Sequence, residues 1–406
     1  TDVEVDGEYR FTRRRFGANP SELRALANWL VEEHVEEVVM ESTAQYWRPV
    51  WETLERVWKP QREADPDAGA QSGSLHLAQA LSNRGPRGRK RDFPDAERLV
   101  KRLVAQELTL SFVPEPEQRL WRTVMRRKLQ LTRNKIQLRN RLECLLEEAH
   151  VKLSSLVSDL LGLSARRMMQ AIADGETEPA RLAALADRRL HATTEELRDA
   201  LGASATLHPV YRKLLQMMLE EVRLLEEQSL QLDREMAQLL SEHQTAVQRL
   251  AEVPGLGVDS AQQIIAEVGA SAATFPSAKH LASWVGVCPG ANESAGVNSS
   301  RRSPQGNRPM RRILSQAANA AVKTKGSVFQ LLYRRLVVRL GHAQAIWAVA
   351  HRLCRLIWKI LHQGVDYDER GPDVTRERSQ RRIAQMIRDL RKLGYQIEPS
   401  PQGGSA

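Results

Sequence analysis

Two stretches, residues 117–150 and 210–250, repeat large apolar side chains at helical spacing over many turns, and they limit what this chain can fold into. In the first, Leu120, Val124, Leu131, Leu138, Leu142 and Leu145 share one side, with many Arg and Lys opposite. In the second, Leu214, Met218, Leu225, Leu232, Met236 and Leu239 repeat the behaviour. Long amphipathic helices bury such stripes by pairing, so the spacing predicts an antiparallel arm or a dimerising coiled coil. The segment between them, 154–205, reads as helical and loop-rich.

The N-terminal part has a different character. Residues 8–17 alternate as an exposed strand does. Pro20 and Ser21 open a helix through about His34, with Leu23, Leu26, Trp29 and Leu30 on one face. Val35–Glu41 reads as a short buried strand, about Tyr46 to Val57 as a helix, and Leu75–Ala80 as another strand. Between these last two, residues 59–74 form a polar insertion. Residues 95–108 are helical in pattern. This order predicts an α/β layer over 1–112, followed by a helical region over 113–250. Near 252 Pro, Gly and small residues become frequent, and a helical tail runs from about Met310 to His362, closing an all-α region over 251–365. Residues 366–406 make a charged tail with one short helix about 376–393 and a disordered end. The chain is predominantly α.

A formal net charge of +10 and a pI near 9.7 predict a polyanionic partner. No apolar run reaches membrane-spanning length and no signal peptide is visible, so a cytoplasmic or nucleoid-associated protein is expected. Cys144, Cys288 and Cys354 are far apart and lack zinc spacing, which predicts buried, reduced thiols. The chain opens on Thr1, in what reads as the tail of a strand, so further residues are expected upstream.

Four segments carry chemistry. Glu41 closes the run Val38-Val39-Met40. Asp92 and Asp95 follow the cationic stretch Arg87-Gly88-Arg89-Lys90-Arg91 and stand at a helix start. Spacing leaves two compatible readings of that pair: helix caps favoured by the dipole, or an i, i+3 pair of hard oxygen ligands for a divalent metal. The hairpin Pro254-Gly255-Leu256-Gly257 before Val258 resembles a helix-hairpin-helix, whose N–H groups grip a phosphate backbone without reading sequence. A plain tight turn between helices is the alternative. Residues 284–316 form a long loop rich in hydroxyls, glycines and arginines, then a basic helix. Ser294 lies there in Glu-Ser-Ala-Gly, near Ser299, Ser300 and Ser303, and Arg301, Arg302, Arg308, Arg311 and Arg312 predict phosphate contact. His280, His351 and His362 have no ligand spacing, and Trp347 and Trp358 read as core.

Taken together, Val39-Met40-Glu41-Ser42-Thr43 with Tyr46-Trp47, the run Gly88–Glu97, the Pro254–Gly257 hairpin and the stretch from Trp284-Val285-Gly286 to Asn307-Arg308 resemble the DEDD transposases of the IS one-ten group of prokaryotic insertion sequences. The resemblance covers about residues 8–395. It implies a RuvC-like (RNase H-fold) N-terminal domain with four metal-binding carboxylates. Glu41, Asp92 and Asp95 match the second, third and fourth. The first Asp belongs upstream of Thr1, and Asp2 and Asp6 sit too late in the strand to replace it. The resemblance also implies a C-terminal nucleophilic serine, matched by Ser294, activated by the carboxylates and Mg²⁺ across domains or in trans. Arg301, Arg302 and Arg308 would neutralise the phosphate, and a structured non-coding guide RNA would bridge target and donor DNA. The long helices would make a homo-oligomer, a dimer or a tetramer. The alternatives are a RuvC-like Holliday-junction nuclease using metal-activated water, and an inactive nucleic-acid-binding remnant.

Overall fold

The computed structural model describes residues 2–3, 9–63, 73–80, 92–288, 292–294, 297–300, 303–369 and 384. The chain divides into two compact units, Thr1–Glu115 and Pro116–Ala406.

In the first unit, β1 (Asp2–Val3) pairs antiparallel with β2 (Tyr9–Arg10). The strand predicted over 8–17 ends at Arg10. Arg13 pairs with Glu97 at 2.7 Å, and Arg13 and Arg15 lie 5.8 and 5.2 Å over the Phe93 ring. Arg14 lies 4.8 Å over Phe16. Arg13 and Arg15 thus share one side and Arg14 takes the other, as in an extended chain. Helix α1 (Pro20–Glu32) begins as predicted, with the Asn19 side chain accepting from Glu22 N–H at 2.9 Å. Strand β3 (Glu37–Glu41) pairs in parallel with β4 (Ser74–Ala78), Glu41 opposite Ala78. β3 is half-buried throughout rather than buried.

Helix α2 (Trp47–Thr53) continues through a wide π turn, Leu54–Trp58, into α3 (Lys59–Glu63). The segment predicted as an insertion therefore starts helical, and its residues 64–72 lie outside the described residues. The wide turn comes just ahead of Pro60, which has no N–H for the ladder. It sets Leu54 and Trp58 together in the core, 1% and 0% exposed, with Ala27 and Leu30. Helix α4 (Asp92–Val104) packs beside β3.

The second unit is built on α5 (Pro116–Glu148) and α9 (Pro209–Leu239). Lys128 bonds to Asp233, Lys135 to Glu226, and Tyr211 donates to Glu148. Residue numbers rise on one helix as they fall on the other, so the pair is antiparallel. One end is closed by α6 (Leu163–Ala173), α7 (Pro179–Ala184) and α8 (Thr194–Ala200) around Leu138, Leu142, Met168 and Leu219. At the other end lie α10 (Gln244–Ala251), α11 (Val258–Val268), α12 (Ala278–Val285), the hairpin β5 (Asn292–Ser294) and β6 (Val297–Ser300), α13 (Arg308–Ala321) and α14 (Val328–Gln363). Their core joins Trp121, Met125 and Met236 of the long helices to Ile264, Leu314 and Leu353.

Several sequence expectations change. Leu120 and Leu214 are exposed, and Trp121 and Leu215 fill the core instead. A straight helix drifts relative to a heptad repeat, so a stripe read over ten turns leaves the interface at its ends. The helix predicted over 210–250 breaks at Leu240, which is fully buried and is followed by a 3₁₀ turn, Ser241–His243. The tail predicted over 310–362 is interrupted by the turn at Val322–Ser327, with Gly326 at φ 76°, and again within α14 by Gly341 at φ 75°. Cys354 alone of the three thiols is buried, and burial raises it to about 12; Cys144 is exposed and Cys288 half-buried, and all three are free. Among the described residues no helix is long and apolar enough to cross a membrane. The short helix about 376–393 and the last ten residues lie outside the described residues, apart from Ala384.

An electrostatic clamp adds to the apolar packing of α6 on the long pair. Glu226 accepts from Arg166 at 2.6 Å and from Lys135 at 2.5 Å, and Arg166, then Lys135, hold its carboxyl down to about 2 against an ordinary 4.5. The folded value lies below the unfolded one, so this contribution is complete above about pH 4.5 and is lost as pH falls toward 2. Glu226→Gln is expected to unfold at lower urea than the wild type near neutral pH, and the gap between the two midpoints should narrow from about pH 6 to about pH 3. A gap independent of pH would remove the ion pairs as its source.

Candidate active site and nucleic-acid interface

Glu41 ends β3 and accepts from the Thr43 hydroxyl at 2.6 Å. Asp92 opens α4 and is exposed, while Asp95, in the same first turn, is half-buried and pairs with Arg98 at 2.7 Å. The two helix-start carboxylates sit where the dipole favours negative charge, as the capping reading expects. All three carboxylates offer the hard oxygens that a divalent cation takes. Among the described residues, though, no three His, Cys, Asp or Glu side chains converge on a point where an ion would sit. The donor chemistry of Glu41, Asp92 and Asp95 fits a divalent metal. Arg87, Arg89, Lys90 and Arg91 lie outside the described residues.

In the second unit, α10 and α11 pack together across the turn 252–257. Its two glycines serve different ends. Gly255, at φ 87°, lies against α13: a Cβ there would meet the Ala317 carbonyl and stand 2.7 Å from Ala321 N. Only glycine allows that approach. Gly257 is exposed and extended, caps α11, and has open space around it. The backbone free to meet a phosphate is therefore at Gly257, while Gly255 holds the turn to the core.

The serine loop is anchored at both feet. Gly286, at φ 77°, and Gly306, at φ 51°, touch backbone to backbone: a Cβ on Gly286 would stand 2.7 Å from the Pro304 carbonyl, and one on Gly306 2.6 Å from Gly286 N. Arg311 seals this foot. Its guanidinium donates to the carbonyls of Gly286 and of Pro304 (3.0 Å) and to Ser303 Oγ (3.2 Å), and lies 4.5 Å over the Trp347 ring. Arg311 is engaged inside the protein rather than offered to a phosphate. Arg312 donates to Gln263 at 2.9 Å, and burial, with Arg133 nearby, lowers its pKa. Arg308 is exposed at the start of α13. Arg301 and Arg302 lie outside the described residues, and Ser294 ends strand β5.

Behind this loop is a group the sequence reading missed. Glu267, 2% exposed, accepts from Arg126 Nε and Nη2 (3.2 and 3.3 Å) and from Asn307 Nδ2 (3.1 Å), with Arg122 3.6 Å away. A buried carboxylate is tolerated only with such partners. The available signal was an acidic residue inside an apolar run, Ile264-Ile265-Ala266-Glu267-Val268.

Residues 3–151 match the family model for DEDD transposases of the IS110 type, and residues 247–334 match the model described as Transposase IS116/IS110/IS902 family. The chain belongs to the IS110 family of transposases. The first match encloses Glu41, Asp92 and Asp95, and the second encloses the 252–257 turn, Ser294 and Glu267. A curated relative, the insertion element IS110 uncharacterized 43.6 kDa protein of Streptomyces coelicolor, is 28% identical over 124 residues. That alignment spans 30% of this chain and 30% of the relative's length. Transposases of the DEDD kind typically use divalent metal ions.

The glycine assignment in this IS110 family chain is testable by urea unfolding. Gly255→Ala is expected to lower stability by roughly 1–3 kcal/mol, through overpacking and a left-handed backbone. Gly257→Ala should cost less than about 1 kcal/mol. Equal losses would mean that the turn is not seated on α13.

Proposed function

We propose that this chain is the recombinase of an insertion sequence, cutting and rejoining DNA through a covalent link between Ser294 and a DNA phosphorus. The observation that carries the reading is the order of the two family matches on one chain, with the carboxylates in the first and Ser294 in the second. In the step proposed, the Ser294 oxygen forms a bond to phosphorus as the bond to the leaving sugar oxygen breaks. The hydroxyl proton leaves with the sugar oxygen, directly or through solvent. One P–O bond replaces another, so rejoining needs no external energy source.

The remaining roles in the proposal follow from chemistry and exposure. Glu41, Asp92 and Asp95, in a RuvC-like first domain, are the proposed ligands of Mg²⁺. α10, the turn and α11 act as a helix-hairpin-helix, with Gly257 at its phosphate-facing end. Arg301, Arg302 and exposed Arg308 face the phosphate; Arg311 does not, since its Nη1 is held by two carbonyls and its Nη2 by the Ser303 hydroxyl. The net charge of +10 supports a nucleic-acid partner, and a guide RNA beside element-end and target DNA is part of the proposal. The α5–α9 arm is the proposed oligomerising element of a homo-oligomer that acts in the prokaryotic cytoplasm.

The decisive test incubates the protein with Mg²⁺, its flanking RNA and labelled element-end DNA and resolves the products on a denaturing gel. A covalent adduct is expected, lost by at least about a hundredfold in Ser294→Ala and in Asp92→Ala and abolished by chelator. DNA cleavage without an adduct, retained in Ser294→Ala, would point instead to a nuclease using water.

A further inference from the structure

Glu267 joins three parts of the second unit that are distant in sequence. Arg122 and Arg126 come from α5, Glu267 from the end of α11, and Asn307 from the point where the chain leaves the serine loop. The contact is reinforced on each side. Arg122 also donates to the carbonyls of Ala266 (3.2 Å) and Glu267 (2.6 Å), and Gln118 to Ala266 (3.2 Å). Asn307 is doubly fixed by its own backbone, donating N–H to the Trp284 carbonyl at 3.2 Å, while its Oδ1 accepts from Met310 N–H at 2.9 Å to cap α13. The Asn307 amide therefore faces two ways. Its oxygen starts a helix, and its nitrogen reads the buried carboxylate.

We propose that Glu267 is a positioning residue for strand transfer: held by Arg122 and Arg126, its carboxylate sets Asn307 and with it the foot of the hairpin that carries Ser294. The inference rests on the reading of Ser294 as the nucleophile. A helix cap alone explains only Asn307 Oδ1; a capping Ser or Asp would serve as well. The Nδ2 donor has a separate purpose, which is to hold the loop's exit at a fixed place on α11 and α5. Reactions through a positioned oxygen are steep in geometry, so a displacement near 1 Å is felt as a rate rather than as unfolding.

Asn307→Asp isolates this contact, because it keeps a capping oxygen for Met310 N–H and replaces the donor with a carboxylate facing Glu267. In the full chain with its DNA, RNA and Mg²⁺, Asn307→Asp should slow adduct formation by about tenfold or more, with element-end DNA binding within about twofold of wild type. The swap Glu267→Gln with Asn307→Asp restores a donor facing an acceptor at position 307, leaves Arg126 the one remaining carbonyl oxygen at position 267, and conserves the charge of the cluster. It should return adduct formation to within about threefold of wild type. That rescue separates positioning from a loss of stability, and Asn307→Ser, which caps without adding charge, serves if Asn307→Asp does not fold. Adduct formation by Asn307→Asp or Asn307→Ser within about twofold of wild type, or a swap no better than the single variant, would overturn the proposal. Amide exchange over residues 303–307 provides a readout independent of the reaction. Exchange faster by about tenfold in Asn307→Asp, restored in the swap, is expected, and unchanged exchange overturns the contact. If wild type forms no adduct, the serine reading fails by itself, and exchange still decides whether Glu267 holds the loop.

Discussion

The antiparallel pairing of α5 with α9 is the constraint on which the second unit depends. Each helix gives one end to the core of Leu138, Leu142 and Leu219 and the other to the core of Trp121, Met125 and Met236. Burying a Leu or Met side chain contributes about 1.5–3 kcal/mol, so a stripe of this length outweighs any single polar contact along it. The polar contacts choose the alignment instead. Lys128 with Asp233 and Lys135 with Glu226 fix which turn meets which, and Arg166 uses Glu226 to seat α6 on the same register. A slide of one turn would break all of these together.

What was legible in the sequence was local. Helical period marks α5 and α9, a Pro-Gly-x-Gly spacing marks the turn before α11, and Pro20-Ser21 marks α1. Each signal depends on a few neighbouring residues. What was not legible depends on partners far away. Arg308 and Arg311 are the same residue type one turn apart, yet one is exposed and the other is bound to the Gly286 and Pro304 carbonyls. No periodicity separates them, because the difference lies in a loop whose Gly286 foot is 25 residues away. The same holds for Gly255 and Gly257, two residues apart, of which only the first meets α13. The carboxylates were legible as residues and not as a site.

Basic charge is therefore a poor guide to which cations meet nucleic acid. The excess of +10 describes the whole chain. Locally, Arg122 and Arg126 neutralise a buried carboxylate, Arg166 an ion pair, and Arg311 two carbonyl dipoles. The second unit uses arginine as an internal fastener, because a planar fork of donors can satisfy several acceptors from one position. Substituting lysine at these places would keep the charge and lose the geometry.

The contact between Gly286 and Gly306 has a consequence for how this fold can vary. The two residues already bring the ends of the intervening segment together, so the segment between them is a closed loop whose ends are tied by backbone and by Arg311. Closure entropy grows only with the logarithm of length, about 0.6 kcal/mol for each doubling. Added residues between the two glycines would leave the packing beneath almost untouched, whereas a single methyl group on either glycine would not. Length is expected to vary above the tie only away from Ser294 and the neighbouring arginines, with the tie itself held to glycine.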